Sequence, residues 1–379
     1  MTAMTSRTFG VELEILIPAG KTRAGIAQEV RRATGINMRE ERYGHTVPTA
    51  WKITTDASVG YDNGEVVSPI LTGDDGIEQA RKVADALKAA GCTVNAACGF
   101  HVHVFAGDLS VDQLRKLAVN FVHSETAMDA IMPLSRRADT NQYVQSNRSG
   151  FGGVTENEKI NNAIKAFELA NTKSLLIKRV SSNGNSGDGS RFRKLNFHAL
   201  NRQPTVEFRQ HAGTVESEKV VNWVRLCVAM VERSMVSRPR PRTAVTKSHV
   251  DSAELGQLLT WLRLDPATCK FFRLRRKEFS QRGVERRIAA ERAAAERAEA
   301  ERLVLWNADA PNRAIREAEA AAERARVEEE RNTAAAQAVA EAERIRAERV
   351  AQRAADQARQ FAERRAAAEA ALAAARARV

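Results

Sequence analysis

The sequence predicts an α+β domain over residues 1–283 and a long helical tail over 284–379, and three features carry that expectation. Short β-rich stretches, FGVELEI, CGFHVHVF and TVEFRQH, alternate apolar with charged residues, the period of a strand with one polar face. Between them lie runs with apolar residues at helical spacing, opened by capping residues and closed by glycine. Beyond Lys277 the composition changes: Ala, Arg and Glu dominate while Lys and Gly almost vanish, which sets a boundary near Gly283. Within the first part, 7–235 is the core and 236–283 a helical extension.

The first stretch runs from Thr8 to Ile17. As a strand it places Phe9, Val11, Leu13 and Ile15 on one face and the carboxylates of Glu12 and Glu14 on the other. Two neighbouring carboxylates repel, so a metal ion, an Arg or bulk water must compensate them. By itself the segment reads equally well as an edge strand with a wet face. Ala24 to Thr34 is a short helix stopped by Gly35. A strand pair follows, Trp51 to Thr55 and Glu65 to Ser68, with turn chemistry at Asp56-Ala57-Ser58 and Asp62-Asn63-Gly64. Glu65 opens a strand directly after a Gly turn, whereas Asp56 reads as an Asx turn.

A helix capped by Asp74 or Asp75 carries the stripe Ile77, Ala80, Val83, Ala84 and Leu87 and ends at Gly91. In Cys98 to Phe105, His101 and His103 share one strand face, behind a glycine that lets another backbone or a ligand approach. Ser110 with Gln113 forms a capping box for a helix that runs toward Pro133. Arg136 and Arg137 fall in a loop, and Glu156 to Arg179 reads as one helix. The Gly/Ser-rich loop from Ser181 to Ser190 is a candidate lid. Arg191 to Phe197 and Thr205 to His211 read as strands, the second projecting Glu207, Arg209 and His211 from one face. Ser217 to Met235 and Asp251 to Leu262 are helices, joined through an extended Pro/Arg linker at Arg238 to Arg242.

Charge and cysteines bound the function. The formal net charge is +12, and because Arg and Glu nearly cancel in the tail the excess sits on the first part. Such a surface suits a nucleotide triphosphate as well as a nucleic acid, and the charge alone does not decide between them; with only a few dense basic runs, nucleic-acid binding is the weaker reading. Cys92, Cys98, Cys227 and Cys269 form no CxxC pair and suit reduced thiols. No stretch approaches the roughly 18 apolar residues of a spanning helix, and Met1 to Arg7 has no apolar core of signal-peptide length, so a soluble, cytoplasmic protein without a membrane partner is expected.

Collected, the polar strand faces offer Glu12, Glu14, Glu65 and Glu207, the pair His101 and His103, and the cations Arg191, Arg193, Lys194 and Arg209. Carboxylates with one or two imidazoles are hard ligands suited to Mg²⁺ or Mn²⁺, and Arg and Lys suit phosphate. No GxxxxGK[ST] and no GxGxxG after a strand occurs, which argues against P-loop, Rossmann or kinase sites. In this order FGVELEI, TTDAS, GEVVSP, CGFHVHV, PLSRR, RFRKLN and TVEFRQHAGT resemble the amidoligase family, relatives of glutamine synthetase and glutamate–cysteine ligase, over about residues 7 to 235.

The resemblance implies an antiparallel sheet curved into a half-barrel, flanked by helices, with carboxylates on its concave face. It implies an ATP- and Mg²⁺-dependent ligase that joins a carboxylate to an amine through an acyl phosphate. On that resemblance Glu12, Glu14, Glu65, His101 and Glu207 are metal ligands. Arg209, Arg191 and Glu207 are the catalytic groups, and His103, Arg136, Lys194 and Arg209 contact the nucleotide or substrate. The implied partners are ATP and carboxylate and amine substrates such as an amino acid, peptide, protein or cell-wall fragment. The alternative is a structural or scaffolding protein that works through its tail and keeps only the architecture of a ligase.

In the tail, Glu and Arg recur three to five residues apart in an Ala-rich background, the pattern of a long helix laced with i, i+4 pairs. Pro311 separates two helices, with Asp309 as cap. Val339, Val350, Phe361 and Leu372 recur every 11 residues, a spacing for a nearly straight helix rather than a heptad coil. About 65 residues would span roughly 100 Å. An isolated spacer and weak self-association fit this thin seam equally.

Overall fold

The computed structural model describes residues 6–376 apart from 45, 57–59, 61–62, 138, 140, 182–190, 237–251 and 309–312. All of the candidate lid but Ser181, the Pro/Arg linker and the cap at Asp309 therefore lie outside the described residues. The chain divides into two compact units, 1–288 and 289–379.

The first unit is built on an eight-stranded sheet in the order β2-β3-β4-β1-β6-β8-β7, with β5 pairing the start of β1. The strands are β1 (Thr8–Ile15), β2 (Met38–Glu40), β3 (Trp51–Thr54), β4 (Gly64–Val67), β5 (Leu71–Thr72), β6 (Gly99–Phe105), β7 (Leu195–Asn196) and β8 (Thr205–Ala212). The strands with the paired glutamates and the paired histidines, β1 and β6, lie side by side at the centre. Their pairing is antiparallel, with Glu12 opposite His101 and Gly10 opposite His103.

The sheet is mixed rather than antiparallel throughout, because β2 and β3 run parallel. Residues 41–50 lie between them, too long a connection for a tight turn, and they return the chain so that β3 repeats the direction of β2.

One face of the sheet carries Phe9, Val11, Leu13 and Ile15 of β1, Phe100, Val102 and Val104 of β6, and Val206 and Phe208 of β8, all buried. Helices α1 (Arg23–Thr34), α2 (Gly73–Ala89), α3 (Val111–Asp129) and α6 (Ser217–Val236) supply the matching apolar stripes. The Phe121 and Phe208 rings, for example, meet at 6.1 Å. Each such side chain, once buried, stabilises the fold by about 1.5–3 kcal/mol, so this face accounts for the sheet's cohesion. The opposite face carries acids and imidazoles, which give no comparable gain.

Local chemistry explains the helix ends. Ser110 and Gln113 form the expected capping box on α3. Helix α2 starts earlier than its acids suggest: Thr72 is the cap residue, and Asp74 and Asp75 sit in the first turn, where they complement the helix dipole. The single helix expected over 156–179 is two, α4 (Glu156–Glu168) and α5 (Lys173–Val180), because the Thr172 hydroxyl accepts from the Leu175 amide and restarts the helix. After α7 (Ser252–Leu262), the basic run at 270–277 belongs to α8 (Pro266–Phe279), capped by Asp265 with Pro266 at its first position, a signal not read from the sequence.

Helix α9 spans Gln281–Ala308. In the second unit α10 runs 64 residues from Arg313 to Arg376, and every side chain described between 319 and 368 is exposed. Arg326 pairs with Glu323 at 2.8 Å and Glu330 at 3.7 Å, and Arg344 with Glu341 at 2.7 Å. No helix among the described residues is long and apolar enough to cross a membrane.

Candidate active site

The polar face of the sheet walls a cavity of about 1520 Å³. Strand register explains which residues meet there. Directly opposed residues share a face, so Glu65 of β4 stands beside Glu14 of β1, Glu12 beside His101 of β6, and His103 beside Glu207 of β8. Three overlapping groups have ligand atoms within 4.8 Å of one another: Glu12, Glu65 and His101; Glu12, His103 and Glu207; and Glu14, Asp56 and Glu65.

His101 Nδ1 lies 3.2 Å from Glu12 Oε2 and 3.7 Å from Glu207 Oε1. His103 Nε2 lies 3.3 Å from Glu12 Oε1, while its Nδ1 meets the Thr205 hydroxyl at 3.0 Å. A ring anchored through one nitrogen with the other aimed at carboxylates has the orientation of a metal-ligating histidine. Glycine at 99 is a geometric necessity: its amide donates to Glu14 Oε2, and a Cβ there would stand 2.6 Å from His101 Nε2.

The charges are unevenly balanced. Burial, followed by the nearby charges of Glu12, Asp56, Glu14 and Glu207, pushes the Glu65 carboxyl well above the usual carboxylate range. Burial also works against Glu12, but His103 and His101 hold it well below that range. Glu207 is lowered against its burial by Arg209 and both histidines. The resulting cluster binds its acids unequally, with Glu65 uncompensated.

Arg209 donates to Glu207 beside the cluster, and Arg136 and Arg191 also line the cavity. Arg136 is buried and donates to the carbonyl of Ala97 at 3.2 Å and to that of Cys98, which sets its guanidinium at the open end of β6. Arg191 stacks over the Phe192 ring at 5.2 Å.

Lys194 lies elsewhere. Fully buried behind the sheet, it donates to Asp129 at 2.6 Å and pairs with Glu125 at 3.1 Å, both on α3. The segment before it is not the continuous strand expected over 191–197: only Leu195 and Asn196 are strand, with a single bridge from Arg193 to Gln145. Arg193 turns away as well, to the Ser146 carbonyl and Ser149 hydroxyl, each at 2.7 Å.

His211 also leaves the face it was expected to share. The pairing of β6 with β8 shifts between Phe100 and Val102, a bulge that adds a residue to β8 after Phe208. One extra residue reverses the parity of a strand, so Glu207 and Arg209 face the cavity while His211 packs on Phe100 and Trp223 in the core.

Two site residues escaped the sequence reading. Asp56, taken as an Asx turn, lines the cavity with Glu14 and Glu65. Asn196 is buried opposite Glu207 and donates to its Oε2 at 2.6 Å, holding that carboxylate in place. Its spacing from Lys194 gave no signal, because Lys194 draws attention to the wrong face.

The family model described as "Putative amidoligase enzyme" matches residues 5–231, and the chain belongs to that family. Among solved structures, one described as the crystal structure of a novel glutamine synthase homolog is similar at 12% identity, with a TM-score of 0.31, over 74% of this chain and 67% of its own. No curated protein matches.

Proposed function

We propose that the protein is an ATP- and Mg²⁺-dependent ligase that forms an amide between a carboxylate and an amine through an acyl phosphate, with the polar face of the sheet serving as the concave half-barrel surface for that chemistry. Membership of the amidoligase family supports a ligase-type enzyme. The observation that carries the finer assignment is the set of three interlocking carboxylate and imidazole groups inside one cavity.

The donor set fits hard divalent ions: carboxylate oxygens with one imidazole in each of two groups, and acids alone in the third. The raised Glu65 carboxyl points the same way, since an acid repelled by four neighbours gains from a cation among them. Glu12, Glu14, Glu65, His101 and Glu207 would hold the metal, with His103 and Asp56 within reach. A bound divalent ion supplies charge neutralisation on phosphate oxygens.

The remaining work falls to the chain's own groups. Arg209, kept protonated by Glu207, places a fixed positive charge beside the cluster, where charge develops during phosphoryl transfer. Arg136 and Arg191 would orient phosphate or substrate carboxylate. Asn196 holds Glu207 so that it faces the cluster.

The test is ADP release by purified protein with Mg²⁺, screened against pools of amino acids, peptides and cell-wall fragments. Release dependent on both metal and an added carboxylate–amine pair is expected. Absence of metal-dependent ATP binding by calorimetry would sink the assignment.

A further inference from the structure

Lys52 of β3 is charged, lines the cavity and is only 3% exposed, yet neither the acidic groups nor the arginines above involve it. Register fixes its position. Lys52 is opposite Val67, Val67 opposite Glu12, and Glu12 opposite His101, so all four project from the polar face. At the usual strand spacing, Lys52 starts roughly 10 Å from Glu12.

Its ammonium donates to the Gly44 carbonyl at 3.2 Å, and among the described residues no carboxylate lies within ion-pair distance of it. Tyr43, Val47, Pro48 and Val67 form the cavity wall around this flank. An ammonium has three donors, and among the described residues the Gly44 carbonyl takes one of them, which leaves two for a ligand in the cavity.

We propose that Lys52 receives a carboxylate of the substrate, one carried on an apolar body, an assignment that rests on the ligase function above. Sheet order separates it from the nucleotide's cations. Arg209 comes from β8 and Arg191 from the segment before β7, on one side of the central β1–β6 pair, whereas β3 lies on the other. Phosphates held at the acidic cluster from the β8 side leave the β3 flank to the second reactant. The apolar side chains there suit a hydrocarbon stem.

Thermal melts of the full chain test this, using acetate, hexanoate, N-acetyl-leucine and glutarate as carboxylate probes, inorganic phosphate, and Mn²⁺ with ADP. Lys52→Met should keep a cooperative melt in the ligand-free protein, since it gives up one hydrogen bond and retains the apolar stem. At least one apolar-bodied carboxylate should raise the melting temperature of the wild type and leave Lys52→Met unmoved, while Mn²⁺ with ADP raises both alike.

Lys52→Gln removes the charge while keeping an uncharged donor on a stem one bond shorter, and it decides the matter if the Met variant fails to fold. Carboxylate shifts that are absent from the wild type, or that persist in the uncharged variants, would overturn the proposal. So would loss of the phosphate or Mn²⁺–ADP shift in place of the carboxylate shift, which would make Lys52 a phosphate ligand. If Mn²⁺ with ADP moves neither protein, the ligase function falls on its own, and the carboxylate shifts still decide Lys52.

Discussion

Glu65 and His211 illustrate how burial acts on single groups, with opposite pH signatures. The Glu65 carboxyl holds its proton more tightly in the folded state than its ordinary value of 4.5. Its contribution to stability is therefore full at low pH and is lost as pH rises above about 4.5 through its raised folded value. In EDTA, Glu65→Gln should flatten this part of the stability profile, and at neutral pH it should weaken Mn²⁺ binding measured by calorimetry. His211 behaves the other way: burial, then the charge of Arg275, depresses it well below 6.5. The folded state resists its protonation, so stability is lost as pH falls below about 6.5. Urea midpoints between pH 7 and 5 should drop less in His211→Phe than in the wild type. Asn196→Ala tests positioning: with Glu207 no longer held, Mn²⁺ affinity should fall about 10–100-fold while urea unfolding shows an intact fold.

At the scale of elements, the residue directly before β7 is joined to α3 by a buried ion cluster. Lys194 meets both Asp129 and Glu125, Gln210 of β8 donates to the same Asp129, and Arg148 approaches Glu125 at 3.6 Å. This network ties the strands that present Asn196, Glu207 and Arg209 to the helix behind them. Lys194→Met would leave two buried carboxylates short of a cation, and urea denaturation should show a loss of about 3–5 kcal/mol. A change of less than 1 kcal/mol would mean that water or Arg148 already satisfies those acids. The bulge in β8 has a comparable role, since it sends Arg209 to the cavity and His211 to the core from residues two apart.

For the whole molecule, the two units differ in what holds them together. The first has a large apolar core, whereas α10 relies on helix propensity and on ion pairs such as Arg344 with Glu341. Residues 289–379 carry 17 Arg and 17 acidic residues and no Lys, so the net charge of +12 belongs to 1–288. A chain ending at 288 should stay soluble and keep the Mn²⁺ affinity of the full protein, because every proposed ligand precedes residue 210. Calorimetry on both lengths checks this; an insoluble or non-binding shorter chain would show that the tail is needed by the first unit. If only the tail self-associates and no ligase activity appears, scaffolding becomes the better account.

The sequence by itself determined the repeating signals: the alternation in β1 and β6 that puts Glu12 with Glu14 and His101 with His103, the capping box of α3, and the helical tail. These depend on periodicity and neighbouring residues, which are local. Only the tertiary structure decided which strands are neighbours, and with it the meeting of Glu65 with Glu14 and of Glu207 with His103. It also decided the face of His211, the burial of Lys194 against α3, and the places of Asp56 and Lys52 on the cavity wall. The physical reason is that a bulge, a strand order and a counter-ion from a distant helix leave no period in the chain. A lysine in a β-rich stretch such as Trp51 to Thr55 looks like a solvated side chain until its burial and its bond to the Gly44 carbonyl are seen.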